Sequence, residues 1–245
     1  MFEAPTPLNA PEPIHLSRAD GPRPIRLPTP APAPVPLLEA RRVTVPPEVL
    51  DADFALPRGG VAELRGPSGA ARTALLRVLA GLRRPECGEV LLDGVRLDLL
   101  DDHELRELRR REFGFVLGDA MLVPELTAAE NCALPQMLAG AERAEAMVRA
   151  VAVLRDFGLS GLRDRFPGQL SAAHQQLLTV ARAVAHRPKV LFADVPDLSG
   201  PAIAELLDAA RHEGIAVVLT TALPALPGRA PLPLEITGRA LELAA

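Results

Sequence analysis

Short runs rich in apolar and β-branched residues predict strands along the chain. The first are LLEARRVTV, VLDADFAL, GGVAELR (59–65) and GEVLLDGVRL, and the last of these folds back at an Asp93-Gly94 hairpin turn. FGFVLG predicts another strand, while KVLFAD (189–194) and IAVVLTT are almost wholly apolar, which is typical of parallel strands buried on both faces. LEITGRALEL predicts a closing hairpin.

Helical patterns separate these strands. In ARTALLRVLAGL, Leu75, Leu79 and Leu82 recur at i, i+4 and i+7, which predicts one buried helix face. Further helices are predicted for DHELRELRRREF, LTAAENCALPQMLAG, ERAEAMVRAVAVLRDFGL, SAAHQQLLTVARAVAHR from the N-cap Ser171, and PAIAELLDAARHEG up to Gly214. Because strands alternate with helices, the pattern predicts an α/β fold built on a parallel sheet.

Proline dominates the beginning of the chain, with 11 of the 26 prolines in residues 1–36. Such a stretch cannot build helices or sheet ladders, so we expect an extended, mobile tail there and one folded domain over residues 37–245. A simple tether is the favoured interpretation, and a polyproline ligand for a partner is the alternative.

Composition narrows the classes of function. The net charge is −4, and the triplet Arg109-Arg110-Arg111 is best interpreted as a solvated helix face, so nucleic acid is not expected as a partner. No apolar run is long enough to span a membrane, and no signal peptide precedes the domain, which favours the cytoplasm. Cys87 and Cys132 offer neither a disulfide framework nor a metal spacing.

A degenerate phosphate-binding loop lies between a predicted strand and a predicted helix. Residues 66–73 read GPSGAART, whereas the Walker A pattern is G-x-x-x-x-G-K-[ST]. Ala71 replaces the last glycine, where its Cβ is expected to hinder the approach of phosphate, and Arg72 replaces the lysine. The predicted nucleotide-binding residues are Gly66, Pro67, Ser68, Gly69, Ala70, Ala71, Arg72 and Thr73. Thr73 and Asp194 together suit Mg²⁺.

Four segments occur in an order that is specific to one family. They are GPSGAARTALLRVLAGL, FGFVLGDAMLVPELTAAENCALP, PGQLSAAHQQLLTVARAVAHRPKVLFADVP and VVLTTALP. Over about residues 37–243 the chain thereby resembles the ATP-binding subunit of ABC transporters, most closely the lipoprotein-release and macrolide-export branch. The resemblance implies a P-loop NTPase core of the ABC ATPase type, a small antiparallel β subdomain, and an α-helical subdomain at about residues 119–170.

The chain departs from the family pattern at the positions that contact ATP. The Q-loop glutamine, the catalytic glutamate and the switch histidine fall on Gly118, Val195 and Thr221, so no catalytic position is intact. The signature motif falls on Leu170, Ser171, Ala172, Ala173 and His174, and His174 is expected to be a surface residue. Loss of a general base typically slows a reaction by about 10²–10⁴-fold.

The resemblance and these departures together predict a degenerate ATP-binding subunit that binds ATP and Mg²⁺ weakly and does not hydrolyse ATP. It would lie at the inner face of the plasma membrane as a structural or regulatory partner of an integral membrane permease, whose coupling helix would dock around residues 113–140. It would pair with itself or with another, active ATPase subunit. The alternatives are a non-hydrolysing Mg-nucleotide sensor and an active ATPase that energises export or lipoprotein release.

Overall fold

The computed structural model describes residues 35–47, 49–65, 68–117, 122–194, 200–220, 232–237 and 240–243. The strands are β1 (Leu38–Val45), β2 (Val49–Leu56), β3 (Val61–Arg65), β4 (Cys87–Leu92), β5 (Val95–Arg96), β6 (Phe113–Leu117), β7 (Val190–Asp194), β8 (Ala216–Thr220), β9 (Leu232–Thr237) and β10 (Ala240–Leu243). The helices are α1 (Gly69–Leu79), α2 (Asp102–Glu112), α3 (Ala128–Leu138), α4 (Arg143–Asp156), α5 (Ala172–Val184) and α6 (Gly200–Glu213). In this part of the chain, no helix is long and apolar enough to cross a membrane.

The strands form two sheets. One is antiparallel, in the order β2-β1-β4-β5, and the other has the order β10-β9-β3-β8-β7-β6. In the second sheet β9, β3, β8, β7 and β6 are parallel, and only β10 runs antiparallel to its neighbour. The predicted α/β fold with a small antiparallel β subdomain is confirmed. The proposed tail at residues 1–36 lies almost wholly outside the described residues, so the domain boundaries stay a prediction.

Both faces of the parallel sheet are covered by apolar packing. Val190 and Phe192 of β7 face α1 and the antiparallel sheet, whereas Leu191 and Ala193 face α6. A third apolar cluster joins α3, α4 and α5. Burial on both faces explains why these strands read as continuous apolar runs without alternation.

Helix α1 is shorter than its apolar pattern predicts. Leu75 and Leu79 are fully buried, but Leu82 is 45% exposed, so its assignment to the buried helix face was wrong. The helix ends at Leu79, and Gly81 adopts φ 63°, a left-handed conformation that suits glycine and turns the chain away. Leu82 therefore lies beyond the helix rather than on its face.

The arginine triplet of α2 is only partly solvated. The Arg109 guanidinium donates a hydrogen bond of 2.6 Å from Nη1 to the carbonyl oxygen of Gly81, and it is half-buried. Burial lowers the pKa of Arg109 below its usual value. Arg110 pairs with Glu107, and Arg111 is exposed. The prediction of a solvated face holds for Arg110 and Arg111 and is wrong for Arg109, which fastens α2 to the end of α1.

The only lysine of the chain joins the loops at the amino-terminal edge of the parallel sheet. Lys189 Nζ lies 3.0 Å from Asp93 Oδ2 and 3.1 Å from Glu112 Oε2. Arg58 pairs with the other oxygen of Asp93 at 2.5 Å. Partial burial by itself lowers the pKa of Lys189. Hydrogen bonds with the carboxylates of Asp93 and Glu112 outweigh this effect, so the pKa of Lys189 is raised. This network connects the β4–β5 hairpin and the end of α2 to β7.

A buried ion pair lies on strand β3, directly before the phosphate-binding loop. Glu63 is fully buried, and its Oε2 accepts a hydrogen bond of 2.7 Å from Arg65 Nη2. Its Oε1 has no hydrogen-bond partner among the described residues. Because a buried carboxylate needs a counter-charge, Arg65 is expected to be the main compensation for Glu63.

We predict that Arg65→Met lowers the free energy of unfolding by about 3 kcal/mol, because it leaves the buried carboxyl group of Glu63 without its ion-pair partner. The double variant Glu63→Leu/Arg65→Met should recover most of that loss. Urea unfolding of both variants measures the difference. Arg155→Met, which removes an exposed partner of Asp156, is the control and should change stability by no more than about 0.5 kcal/mol. Equal destabilisation by the single and double variants would contradict the role of the pair.

The two cysteines should react differently in the folded protein. Cys87 is exposed, whereas Cys132 lies in the α3–α4–α5 cluster, where burial raises the pKa of its thiol to about 12. A thiol reagent at about pH 8 should label Cys87 quickly and Cys132 only after denaturation, since the thiolate is the reactive form. Absorbance of the released leaving group counts the thiols. Rapid labelling of both in the native protein would contradict the packing of the helical cluster.

Candidate functional site

The amino terminus of α1 forms the described part of the phosphate-binding loop. β3 ends at Arg65 and α1 begins at Gly69, while Gly66 and Pro67 lie outside the described residues. Ser68 is the N-cap, and its hydroxyl accepts a hydrogen bond of 3.2 Å from the backbone N–H of Ala71. The first turn contains no acidic residue, so the helix dipole and its free N–H groups favour an anion here.

The two substituted loop residues point in different directions. Ala71 is 2% exposed and packs in the core between α1 and the sheets. Its methyl group therefore does not obstruct the phosphate side, and the prediction that it would hinder phosphate was wrong. Arg72 is half-buried, and its guanidinium lies next to Gly69. A Cβ atom placed on Gly69 would be 3.7 Å from Arg72 Nη2. The Arg72 guanidinium therefore lies against the loop itself. Ala70, beside it, is exposed.

Strand β7 brings Asp194 to the first turn of α1. Thr73 Oγ1 donates a hydrogen bond of 2.8 Å to Asp194 Oδ2, across 121 residues of sequence. The predicted metal pair is thus assembled in the fold. Hydroxyl and carboxylate oxygens are ligands that Mg²⁺ prefers, so the pair fits the ion that the resemblance implies.

A third residue, Thr220, completes this cluster and was not predicted from the sequence. Its Oγ1 donates a hydrogen bond of 2.5 Å to Asp194 Oδ1, so each carboxylate oxygen has one hydroxyl donor. Thr220 is 3% exposed at the end of β8. The sequence did contain a signal for Thr220, because a residue with a hydroxyl group ends the otherwise apolar strand Ala216–Thr220.

The three positions to which the resemblance assigns catalytic groups directly follow one row of strand ends. Leu117, Asp194 and Thr220 are in register as the last residues of β6, β7 and β8. Gly118, Val195 and Thr221 come next in the sequence and lie outside the described residues. The topology therefore ends all three strands at the edge where Thr73 and Asp194 meet, and the roles of these three positions stay a prediction.

A buried asparagine fixes the segment that follows β6. The side chain of Asn131 accepts from the N–H of Val123 at 2.8 Å, and its Nδ2 lies 2.9–3.1 Å from the carbonyl oxygens of Val123, Leu126 and Thr127. Thr127 and Glu130 form a capping box at the start of α3. These contacts give the segment PELTAAEN a structural role, which was not predicted from the sequence.

The predicted signature residues lie at the start of α5. Ser171 is the N-cap, and its hydroxyl accepts a hydrogen bond of 3.3 Å from the N–H of His174. Leu170 packs in the helical cluster, while Ser171, Ala172, Ala173 and His174 are exposed. The first turn of α5 is therefore an accessible surface that lies outside the Thr73–Asp194 cluster in the described part of the chain.

Comparison with known proteins agrees with this fold. The model of the ABC transporter family matches residues 49–197. The lipoprotein-releasing system ATP-binding protein LolD 1 of Rhodospirillum rubrum is 42% identical over 184 residues, which cover 73% of this chain and 81% of that protein. LolD of Maricaulis maris is 39% identical over 189 residues, covering 75% and 82%.

Solved structures show the same fold. An ATP-binding cassette in a dimeric, post-hydrolysis state with ADP and phosphate has a TM-score of 0.73 and 26% identity, covering 84% of this chain and 96% of that chain. The protein cbiO1 of Clostridium perfringens, part of the ABC transporter complex cbiONQ, has a TM-score of 0.74 at 18% identity, covers 85% of this chain and 87% of that chain, and supports the fold alone.

Proposed function

This chain belongs to the ABC transporter family, as an ATP-binding subunit of the lipoprotein-releasing type, and we propose that it binds Mg-nucleotide weakly and does not hydrolyse it at ordinary rates. In this proposal it acts as a structural or regulatory subunit, at the inner face of the plasma membrane, together with a permease or an active paralogue. ATP is the expected nucleotide, since it is the family's ligand.

The observation that carries the proposal is Val195, which directly follows Asp194. The family has its catalytic glutamate at this position, and valine has no atom that can accept a proton from water. Thr221 and Gly118 replace two further polar groups at the neighbouring strand ends. Because such groups act as a unit, their losses need not add, but none of the three replacements compensates another.

Nucleotide binding is supported by the groups that remain. The amino terminus of α1 and the Arg72 guanidinium supply positive charge for phosphates, and Thr73 with Asp194 would hold Mg²⁺. When bound, the ion would neutralise phosphate charge. We expect weak affinity because a long, forked guanidinium does not reproduce the compact ammonium of lysine in a tight loop.

A groove between α2, α3, α5 and the start of β6 is the proposed contact for the permease. It has a volume of about 740 Å³. Its apolar lining consists of Phe113, Phe115 and Leu134, which are buried or half-buried, and of the exposed Leu138. Its basic lining consists of Arg106 and Arg110, which are exposed at the rim, and of the half-buried Arg109 and Arg182. We call it the arginine-rimmed groove.

The charge of this groove is opposite to that of the chain. Glu107 is the one carboxylate among its described lining residues, and Glu107 is already paired with Arg110. The chain as a whole carries −4. An apolar floor with a basic rim favours an acidic amphipathic helix as the docking element of the permease.

A Mg-nucleotide sensor is the second candidate, and the Thr73–Asp194–Thr220 cluster favours it. Two hydroxyl groups hold the carboxylate of Asp194 without any contribution from the missing catalytic residues. A sensor would bind the permease with an affinity that changes when nucleotide is added, whereas a purely structural subunit would not.

We predict that the purified protein turns over ATP at least about 100-fold more slowly than an active family member assayed beside it, because a general base is missing. Phosphate release with Mg-ATP measures the rate. Turnover at about 1–10³ s⁻¹ would overturn the proposal and support the active-ATPase alternative. Loss of that activity in Asp194→Asn would show that it is intrinsic and not a contaminant.

We also predict that Arg106→Glu/Arg110→Glu weakens co-purification with the permease encoded by a neighbouring gene by about tenfold or more, with reduced salt dependence. The control is Arg149→Glu/Arg155→Glu on α4, which makes the same change of charge outside the arginine-rimmed groove. Equal loss with both double variants would indicate a general charge effect. Full retention with the groove variant would exclude the groove as the contact.

A further inference from the structure

We propose that Thr220 is a positioning residue for Mg-nucleotide, which acts by holding the carboxylate of Asp194 in the orientation that meets Thr73. The inference rests on the proposed function, because it concerns the same nucleotide site. It assigns a role to Thr220, a residue for which the sequence alone predicted no function.

Two hydrogen bonds hold the carboxylate of Asp194. Thr73 donates to Asp194 Oδ2 at 2.8 Å, and Thr220 donates to Asp194 Oδ1 at 2.5 Å. One donor comes from α1 and the other from β8, so the carboxylate is held from two separate elements. With both oxygens held, rotation of the carboxylate about its last side-chain bond is restricted.

The two hydroxyl donors, Thr220 and Thr73, differ in rigidity. Thr220 is 3% exposed, and its strand pairs with β7 at Asp194 and with β3 at Leu64. A buried β-branched side chain on a central strand has few accessible rotamers. Thr73 lies in the first turn of α1, is half-buried, and belongs to the loop that would receive the phosphates. Thr220 is therefore the fixed donor of the pair.

The hydroxyl groups of Thr73 and Thr220 would have different roles at the metal site. Thr73 is itself a candidate ligand of Mg²⁺, whereas Thr220 lies beside Asp194 on the neighbouring strand and would act only through the carboxylate that it contacts. A hydrogen bond to a charged acceptor is stronger than one between neutral groups. Removal of the Thr220 hydroxyl would leave Asp194 Oδ1 without its donor and let the carboxylate turn away from Thr73.

The test separates positioning from plain structural support. Calorimetry measures the affinity for ADP with Mg²⁺ and with EDTA, and the ratio of the two affinities reports the contribution of the metal. Thr220→Val keeps the shape and removes the hydroxyl, so the ratio should fall by about tenfold, the value of one hydrogen bond to a charged group. Thr220→Ser, which restores the hydroxyl, should return the ratio to within about twofold of the original.

A matched control exists in helix α5. Thr179 is also 3% exposed, and its hydroxyl donates to the carbonyl oxygen of Gln175 at 2.9 Å. Thr179→Val makes the same chemical change without touching Asp194, so the affinity ratio should not change. If Thr220→Val fails to fold, Thr220→Ala removes the same hydroxyl with a smaller side chain, and its melting temperature is recorded beside the titration.

The outcomes distinguish this inference from the proposed function. An unchanged ratio in Thr220→Val or Thr220→Ala, with normal ADP binding by the original protein, overturns the role of Thr220 and leaves the proposed function intact. An equal affinity with Mg²⁺ and EDTA in the original protein also overturns it. A flat titration of the original protein at millimolar ADP sinks the proposed nucleotide binding and the inference with it.

Discussion

The register of the parallel strands is the constraint on which the site depends. Leu117, Asp194 and Thr220 close β6, β7 and β8 at the same level, and Leu64 of β3 pairs with Thr220. Parallel strands end at one edge, and β3 leads from that edge into the loop before α1. A shift of β7 by one residue against its neighbours would turn Asp194 to the other face of the sheet and separate it from Thr73.

The same sheet builds the apolar core on both of its faces. Its strands are buried on both sides, and the apolar clusters that cover them involve α1 on one side and α6 on the other. Ala71 stands where the Walker A pattern has glycine, and its methyl group adds to the core between α1 and the sheets.

Charged groups stabilise the two edges of the parallel sheet in different ways. At the amino-terminal edge Lys189 joins Asp93 and Glu112, in partly exposed surroundings where such contacts mainly fix the positions of loops. Near the phosphate-binding loop, Glu63 and Arg65 form a pair whose carboxylate is fully buried, so its energetic consequences are larger. Between these two charged groups of residues, Asp194 accepts hydrogen bonds from the hydroxyl groups of Thr73 and Thr220.

The sequence by itself determined the types and order of the elements, because apolar periodicity and caps such as Ser171 act over a few residues. It also indicated the family and predicted Thr73 and Asp194 as a pair, and the structure brings these two residues into contact. Only the tertiary structure decided that Leu82 lies beyond α1, that Ala71 packs inward, and that Arg109 reaches Gly81. It alone revealed Thr220, since its contact with Asp194 depends on which strands are neighbours and in which register, and local pattern carries neither.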